Sequence, residues 1–186
     1  MSELANRKER KQFRTLILLA VLCLCFANVA YAQGKCQYND TDVDMMNGKI
    51  VLNSTRQPIN GVFCLYHHNG KVSSEVPLKG GNIEGIARDY YENGKLELET
   101  PIKDGKREGT QKHYYENGNL ESETSYKNDN REGYEQRYIE SGRLWGRVLY
   151  KNGEIVSGTC ENGRAFTNAE IISWKSGRTV FCTLQK

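Results

Sequence analysis

A 24-residue period runs through the middle of the chain and limits what it can fold into. Gly61, Gly85, Gly109 and Gly133 mark it, each followed five residues later by a tyrosine: Tyr66, Tyr90, Tyr114 and Tyr138. The clearest copies read Gly85-Ile-Ala-Arg-Asp-Tyr-Tyr-Glu-Asn-Gly-Lys-Leu-Glu-Leu-Glu-Thr and Gly109-Thr-Gln-Lys-His-Tyr-Tyr-Glu-Asn-Gly-Asn-Leu-Glu-Ser-Glu-Thr. A fixed period in the twenties means one supersecondary unit stacked on its neighbours. Such an array offers a surface more readily than it builds a single catalytic pocket.

Each unit reads as strand, tight turn, strand, tight turn. Asn69-Gly70, Asn93-Gly94 and Asn117-Gly118 mark the first turn, with Ser141-Gly142 as a weaker copy. Asn-Gly supplies the positive φ angles of a two-residue type I′ hairpin. The second turn carries Gly80-Gly81, Asp104-Gly105, Asn128-Asp129 and Asn152-Gly153. The fold class expected is all-β: a single-layer antiparallel β-meander of 24-residue hairpin repeats, its ends capped by disulfides.

A two-residue tip at Asn93-Gly94 sets Tyr91 opposite Leu96, Tyr90 opposite Glu97 and Arg88 opposite Glu99. In the next unit Tyr115 meets Leu120, Tyr114 meets Glu121 and Lys112 meets Glu123. Alternation then places Tyr66, Tyr90, Tyr114, Tyr138 and the basic–acidic pairs on one face. Tyr91, Leu96, Leu98, Tyr115 and Leu120 share the other. The glutamates at 97, 99, 121 and 123 read as solvated cross-strand partners, worth a few tenths of a kcal/mol each, rather than as a carboxylate site.

The termini lie outside the repeat. Arg7, Lys8, Arg10, Lys11 and Arg14 precede an apolar run from Leu16 to Ala27, and Ala30-Tyr31-Ala32 offers small residues for a signal-peptidase cut. Residues 1–32 are therefore expected to be a cleaved signal peptide, placing the protein in the periplasm or outside the cell. Membrane attachment would come only from leaving that signal uncut. Residues 33–60 read as an N-terminal cap with a degenerate half-repeat at Asn47-Gly48-Lys49-Ile50. Residues 61–156 hold four repeats. Residues 157–186 read as a further degenerate repeat and cap, with Ser176-Gly177-Arg178 as its turn.

The chain has 26 basic and 23 acidic residues, of which residues 1–32 hold 5 and 2, leaving 21 of each in residues 33–186. A neutral remainder lacks the basic patch that nucleic-acid binding needs. Four cysteines follow the signal: Cys36, Cys64, Cys160 and Cys182. An even number in an exported chain points to two disulfides. Of the three possible connectivities, their place at the two ends favours Cys36 with Cys64 and Cys160 with Cys182, the second loop being worth ~3 kcal/mol. No pair has the C-x-x-C spacing of a structural zinc site, so no metal is expected.

The motif Gly-x-x-x-x-Tyr-Tyr-Glu-Asn-Gly-Lys-Leu, followed by a Lys-Asn-Gly-like turn, resembles the bacterial MORN repeat variant over residues 61–156, most closely over 85–132. That variant is found in YwqK-type antitoxins of toxin–antitoxin systems. The resemblance implies a β-hairpin array that binds other macromolecules, and it brings no catalytic residue or cofactor. A toxin neutralised in the cell envelope is the partner it implies.

The residues themselves point the same way. His67 and His68 are adjacent, so they face opposite sides of a strand, and His113 stands two units on. No serine elbow, P-loop or H-x-x-x-H pair accompanies them. The tyrosine column Tyr66, Tyr90, Tyr114 and Tyr138 is the candidate partner surface, its rings about 9–10 Å apart on every second strand. Trp145 takes the place of a glutamate in repeat four. With Tyr138 and Arg147 it forms the expected centre of contact. The function expected is a non-catalytic, exported module that binds another protein through its sheet. The alternatives are an immunity-type protein and a cell-wall carbohydrate-binding or structural protein.

Overall fold

The computed structural model describes residues 36–176. The expected signal segment, Cys182 and the Gly177-Arg178 turn lie outside those residues. Thirteen strands are described: β1 (Val43–Met46), β2 (Lys49–Leu52), β3 (Gly61–Tyr66), β4 (Val72–Lys79), β5 (Asn82–Ile83), β6 (Gly85–Tyr90), β7 (Leu96–Lys103), β8 (Lys106–Arg107), β9 (Gly109–Tyr114), β10 (Leu120–Lys127), β11 (Asn130–Tyr138), β12 (Leu144–Lys151) and β13 (Glu154–Cys160). The last eleven make one antiparallel sheet in the order β3-β4-β6-β7-β9-β10-β11-β12-β13, with β5 on β4 and β8 on β7. β1 and β2 form a separate hairpin. The expected single-layer meander is the observed one.

The first turn differs from the expected type I′, and the second turn is the one that takes that form. Consecutive positive φ angles, the mark of type I′, occur at Gly80-Gly81, Asp104-Gly105, Asn128-Asp129 and Asn152-Gly153. At Asn69-Gly70, Asn93-Gly94 and Asn117-Gly118 only the glycine is left-handed. There Gly94 N–H donates to Tyr91 O at 2.8 Å and Tyr91 N–H to Lys95 O at 2.9 Å. This is a three-residue loop, a tight turn followed by a left-handed glycine. The asparagine acts through its side chain instead: Asn93 Oδ1 accepts the Lys95 N–H at 2.8 Å, and Asn69 and Asn117 do likewise. An Asx closure of this kind needs no positive φ at the asparagine.

The longer loop shifts the register at its mouth. Tyr90 pairs with Leu96 and Tyr114 with Leu120, not with Glu97 and Glu121, while Arg88–Glu99 and Lys112–Glu123 pair as expected. One residue per unit is left over as a β-bulge: Glu97, Glu121 and, in repeat four, Trp145. A bulge re-aims its side chain. Glu97 and Glu121 accordingly meet His113, 3.9 and 2.6 Å away, on the face opposite Tyr90 and Tyr114.

The marker glycines sit at a second irregularity. β4 pairs Leu78 with Ile83 but Glu75 with Arg88, so the opposing chain gains two residues between those pairs. Gly85 and Gly109 absorb the excess at φ 115° and 112°, a conformation side chains rarely adopt. The preceding glutamates lock it: Glu84, Glu108 and Glu132 accept the backbone N–H of Asp104, Asn128 and Asn152 at 2.7–2.8 Å. At the other edge Asn69 and Asn93 donate to the Glu92 and Glu116 carbonyls of the following repeat. Each repeat is thus bonded to the next at both ends of its strands.

Both outer strands are covered, as edge strands must be to avoid pairing with other chains. Beside β3, Gln37 N–H donates to Val62 O and Cys64 N–H to Tyr38 O. Cys36 and Cys64 form a disulfide. Beside β13, Phe166 N–H donates to Gly158 O and Cys160 N–H to Arg164 O. Cys160 is also disulfide-bonded.

The segment expected to continue the repeat instead forms a helix, α1 (Asn168–Lys175). Thr167 accepts from Glu170 N–H, and Glu170 accepts in turn from Thr167 N–H, a complete capping box. Arg164 reinforces it and holds the Glu170 carboxyl down at about 2. The helix lays Trp174 against Val148, Tyr150, Cys160 and Phe166, giving the sheet a small core at this end.

Candidate functional site

The first tyrosine of the motif stands on the face away from α1, and in repeats two to four it is braced by the preceding repeat. Tyr90 OH donates to Glu75 Oε2 and Tyr138 OH to Glu123 Oε1, both at 2.9 Å. Burial, then the bond to Glu75, pushes the Tyr90 hydroxyl up to about 12. Tyr114 and Tyr138 are raised too, by burial first and then by Glu99 and Glu123. These phenols therefore stay protonated donors throughout the physiological range. Their neighbours are ion pairs and hydrogen bonds between strands, such as Arg88–Glu99 at 3.0 Å and Gln136–Glu123 at 2.6 Å.

The same face also carries side chains that are not braced. Tyr66 and Tyr134 are each 49% exposed and Ile86 is 46% exposed. Alternation along β3, β6 and β11 sets them beside Cys64, Arg88 and Gln136 on the tyrosine side. Arg147 lies over the Tyr134 ring, 5.2 Å from its centroid. Arg147 is among the residues expected at the contact; Tyr134 and Ile86 are not, because neither is part of the Tyr-Tyr-Glu-Asn-Gly signature.

The second tyrosine of the motif has a different task. Tyr91 OH donates to Tyr114 O at 2.5 Å and Tyr115 OH to Tyr138 O at 2.8 Å. In repeat one His67 stands in this column, its Nε2 donating to Tyr90 O at 2.7 Å. The irregular Tyr66-His67 copy thus keeps the inter-repeat bond with a different donor.

Trp145 does not join Tyr138 and Arg147. Its place in the bulge turns it to the helix side, where it stacks on Trp174 at 5.4 Å with ring planes 8° apart. That face also holds Glu135, only 3% exposed. Its Oε1 accepts from Trp174 Nε1 at 3.0 Å and from Arg137 at 2.8 Å, and Arg131 stands 3.6 Å from its Oε2. The expected aromatic centre is therefore divided between the two faces of the sheet.

Four segments, residues 59–79, 83–104, 107–128 and 131–152, each match the MORN repeat variant family. These segments are MORN-variant repeats. A comparison with curated proteins finds no match. In the MORN-variant units the glutamate–glycine junction, the Asn-Gly loop and the second tyrosine are spent on joining one unit to the next. The exposed side chains of Tyr66, Ile86 and Tyr134 take no part in these junctions. Among the described residues no helix is long and apolar enough to cross a membrane, and no cluster of His, Cys, Asp and Glu could hold a metal ion.

Proposed function

We propose that this MORN-variant protein is a non-catalytic module that binds another protein through the tyrosine face of its sheet, in an oxidising compartment outside the cytoplasm. The observation that carries the reading is the set Tyr66, Ile86 and Tyr134, exposed on the same face as tyrosine rings fixed by Glu75, Glu99 and Glu123. Rings held in place before contact lose little entropy on binding, and tyrosine is enriched where interfaces draw most of their energy. Disulfide bonding at Cys36, Cys64 and Cys160 supports the compartment, since such bonds persist where thiols are not kept reduced. The basic and apolar run before Ala32 supports export.

The test compares the oxidised chain with a Tyr66→Ser/Ile86→Ser/Tyr134→Ser variant as bait in envelope extract. These three positions are chosen over Tyr90, Tyr114 and Tyr138 because they make no bracing bond to a glutamate. The wild type is expected to retain a stoichiometric protein that the folded variant loses. Equal retention by both would remove this face from the account.

A further inference from the structure

The helix-side face carries a groove of different chemistry. It lies over β9 to β12 beside α1, with a volume of about 570 Å³. Its charges cancel, Glu121 and Glu135 against Arg131 and Arg137, so no net field draws in phosphates or polyamines. Planar polar side chains, Gln111, His113, Glu121 and Arg137, stand beside the rings of Tyr115 and Trp145.

These groups are oriented before any ligand arrives. Gln111 Nε2 donates to Thr100 Oγ1 at 2.8 Å, Glu121 Oε2 pairs with His113 Nδ1 at 2.6 Å, and Trp145 is backed by Trp174. Among the described residues no hydrogen bond engages Gln111 Oε1, Glu121 Oε1 or Ser122 Oγ. The backbone of the floor is already paired strand to strand, so an extended peptide finds no edge to join.

We propose that this groove is a second binding site, taking a neutral, hydroxyl-rich ligand: a short oligosaccharide. A hydroxyl both donates and accepts, so one group can bridge a carboxylate or amide oxygen and a guanidinium. A ligand with only donors or only acceptors would leave part of this lining unsatisfied. The apolar C–H face of a sugar ring lies flat against a fixed aromatic ring such as Trp145. The site is independent of the tyrosine face, because it opens on the other side of the same layer.

Of the two tryptophans of the chain, Trp145 lines the groove and Trp174 stacks on it, so intrinsic fluorescence reports on the site. The full oxidised chain is titrated with neutral tetrasaccharides of glucose, mannose and N-acetylglucosamine, and separately with an uncharged Gly/Ser decapeptide. One saccharide is expected to give a saturable change with a Kd below about 1 mM. Gln111→Ala and Glu121→Gln, each checked for folding by circular dichroism, are expected to weaken it about tenfold or more. Tyr66→Ser on the opposite face is expected to leave it unchanged. Flat fluorescence and flat calorimetric heat with all three sugars would overturn the proposal. So would sugar binding indifferent to both groove variants, or saturation by the decapeptide alone.

Discussion

Replacing Trp174 with alanine is expected to destabilise the protein by about 3–5 kcal/mol, the range for emptying a buried aromatic site. The side chain is 1% exposed and joins three elements. It stacks on Trp145, lies 5.5 Å from the Phe166 ring and carries the Arg137 guanidinium 4.1 Å from its centroid. Its indole N–H also satisfies Glu135 Oε1. Losing that donor alone leaves a buried acceptor short of one bond, a cost of about 1–3 kcal/mol. Trp174→Phe separates the two contributions, because it keeps a ring and removes the N–H. Urea titration followed by circular dichroism should place the phenylalanine variant between wild type and alanine. An alanine variant within about 0.5 kcal/mol of wild type, the range of an ordinary surface change, would show that α1 adds nothing to the sheet.

The second large effect is expected at Gly109. Gly109→Val forces a β-branched residue to φ 112° and sets its Cβ 3.3 Å from the Pro101 ring. The backbone conformation alone costs about 1–3 kcal/mol, before any movement of Pro101. The position is central in the array, and stability in repeat proteins is a sum of units and their nearest-neighbour contacts. A weak middle unit should therefore broaden the calorimetric transition as well as lower it. Gly105→Ala is the contrast: φ is 73° at a type I′ tip, with nothing within 4 Å of the added Cβ. It should cost only about 1–2 kcal/mol and leave the transition sharp. Equal effects at the two glycines would mean that the bulge at Gly109 is not a structural requirement.

The meander could be read from the chain because its period, its turn dipeptides and its alternation agree with one another. The loop type could not. Asn-Gly serves equally well as a type I′ tip or as the last two residues of a three-residue loop, and the choice rests on where the Asn93 side chain bonds. That single difference moved Glu97, Glu121 and Trp145 to the other face, and with Trp145 one of the six residues of the expected contact surface. The helix did leave a trace in Thr167-Asn-Ala-Glu170, whose spacing is that of a capping box. The Ser176-Gly177-Arg178 turn signal, which points to a further degenerate repeat over residues 157–186, competes with it. Gly146 and Gly158 tell a related story. They leave room on β12 and β13 for the Phe166 ring, a contact that no short-range pattern reveals.

The measurement that tests the central claim most directly is hydroxyl-radical footprinting of the full chain, free and bound to the protein it retains from envelope extract. Radicals label side chains, so the method tells the two faces of a single sheet apart where backbone exchange would not. Tyr66, Ile86 and Tyr134 are predicted to lose labelling on binding, while Val156 and Ile172, exposed at the C-terminal end, keep theirs. Unchanged labelling of those three with protection at Trp145 and Tyr115 would contradict the account and move the partner to the helix side.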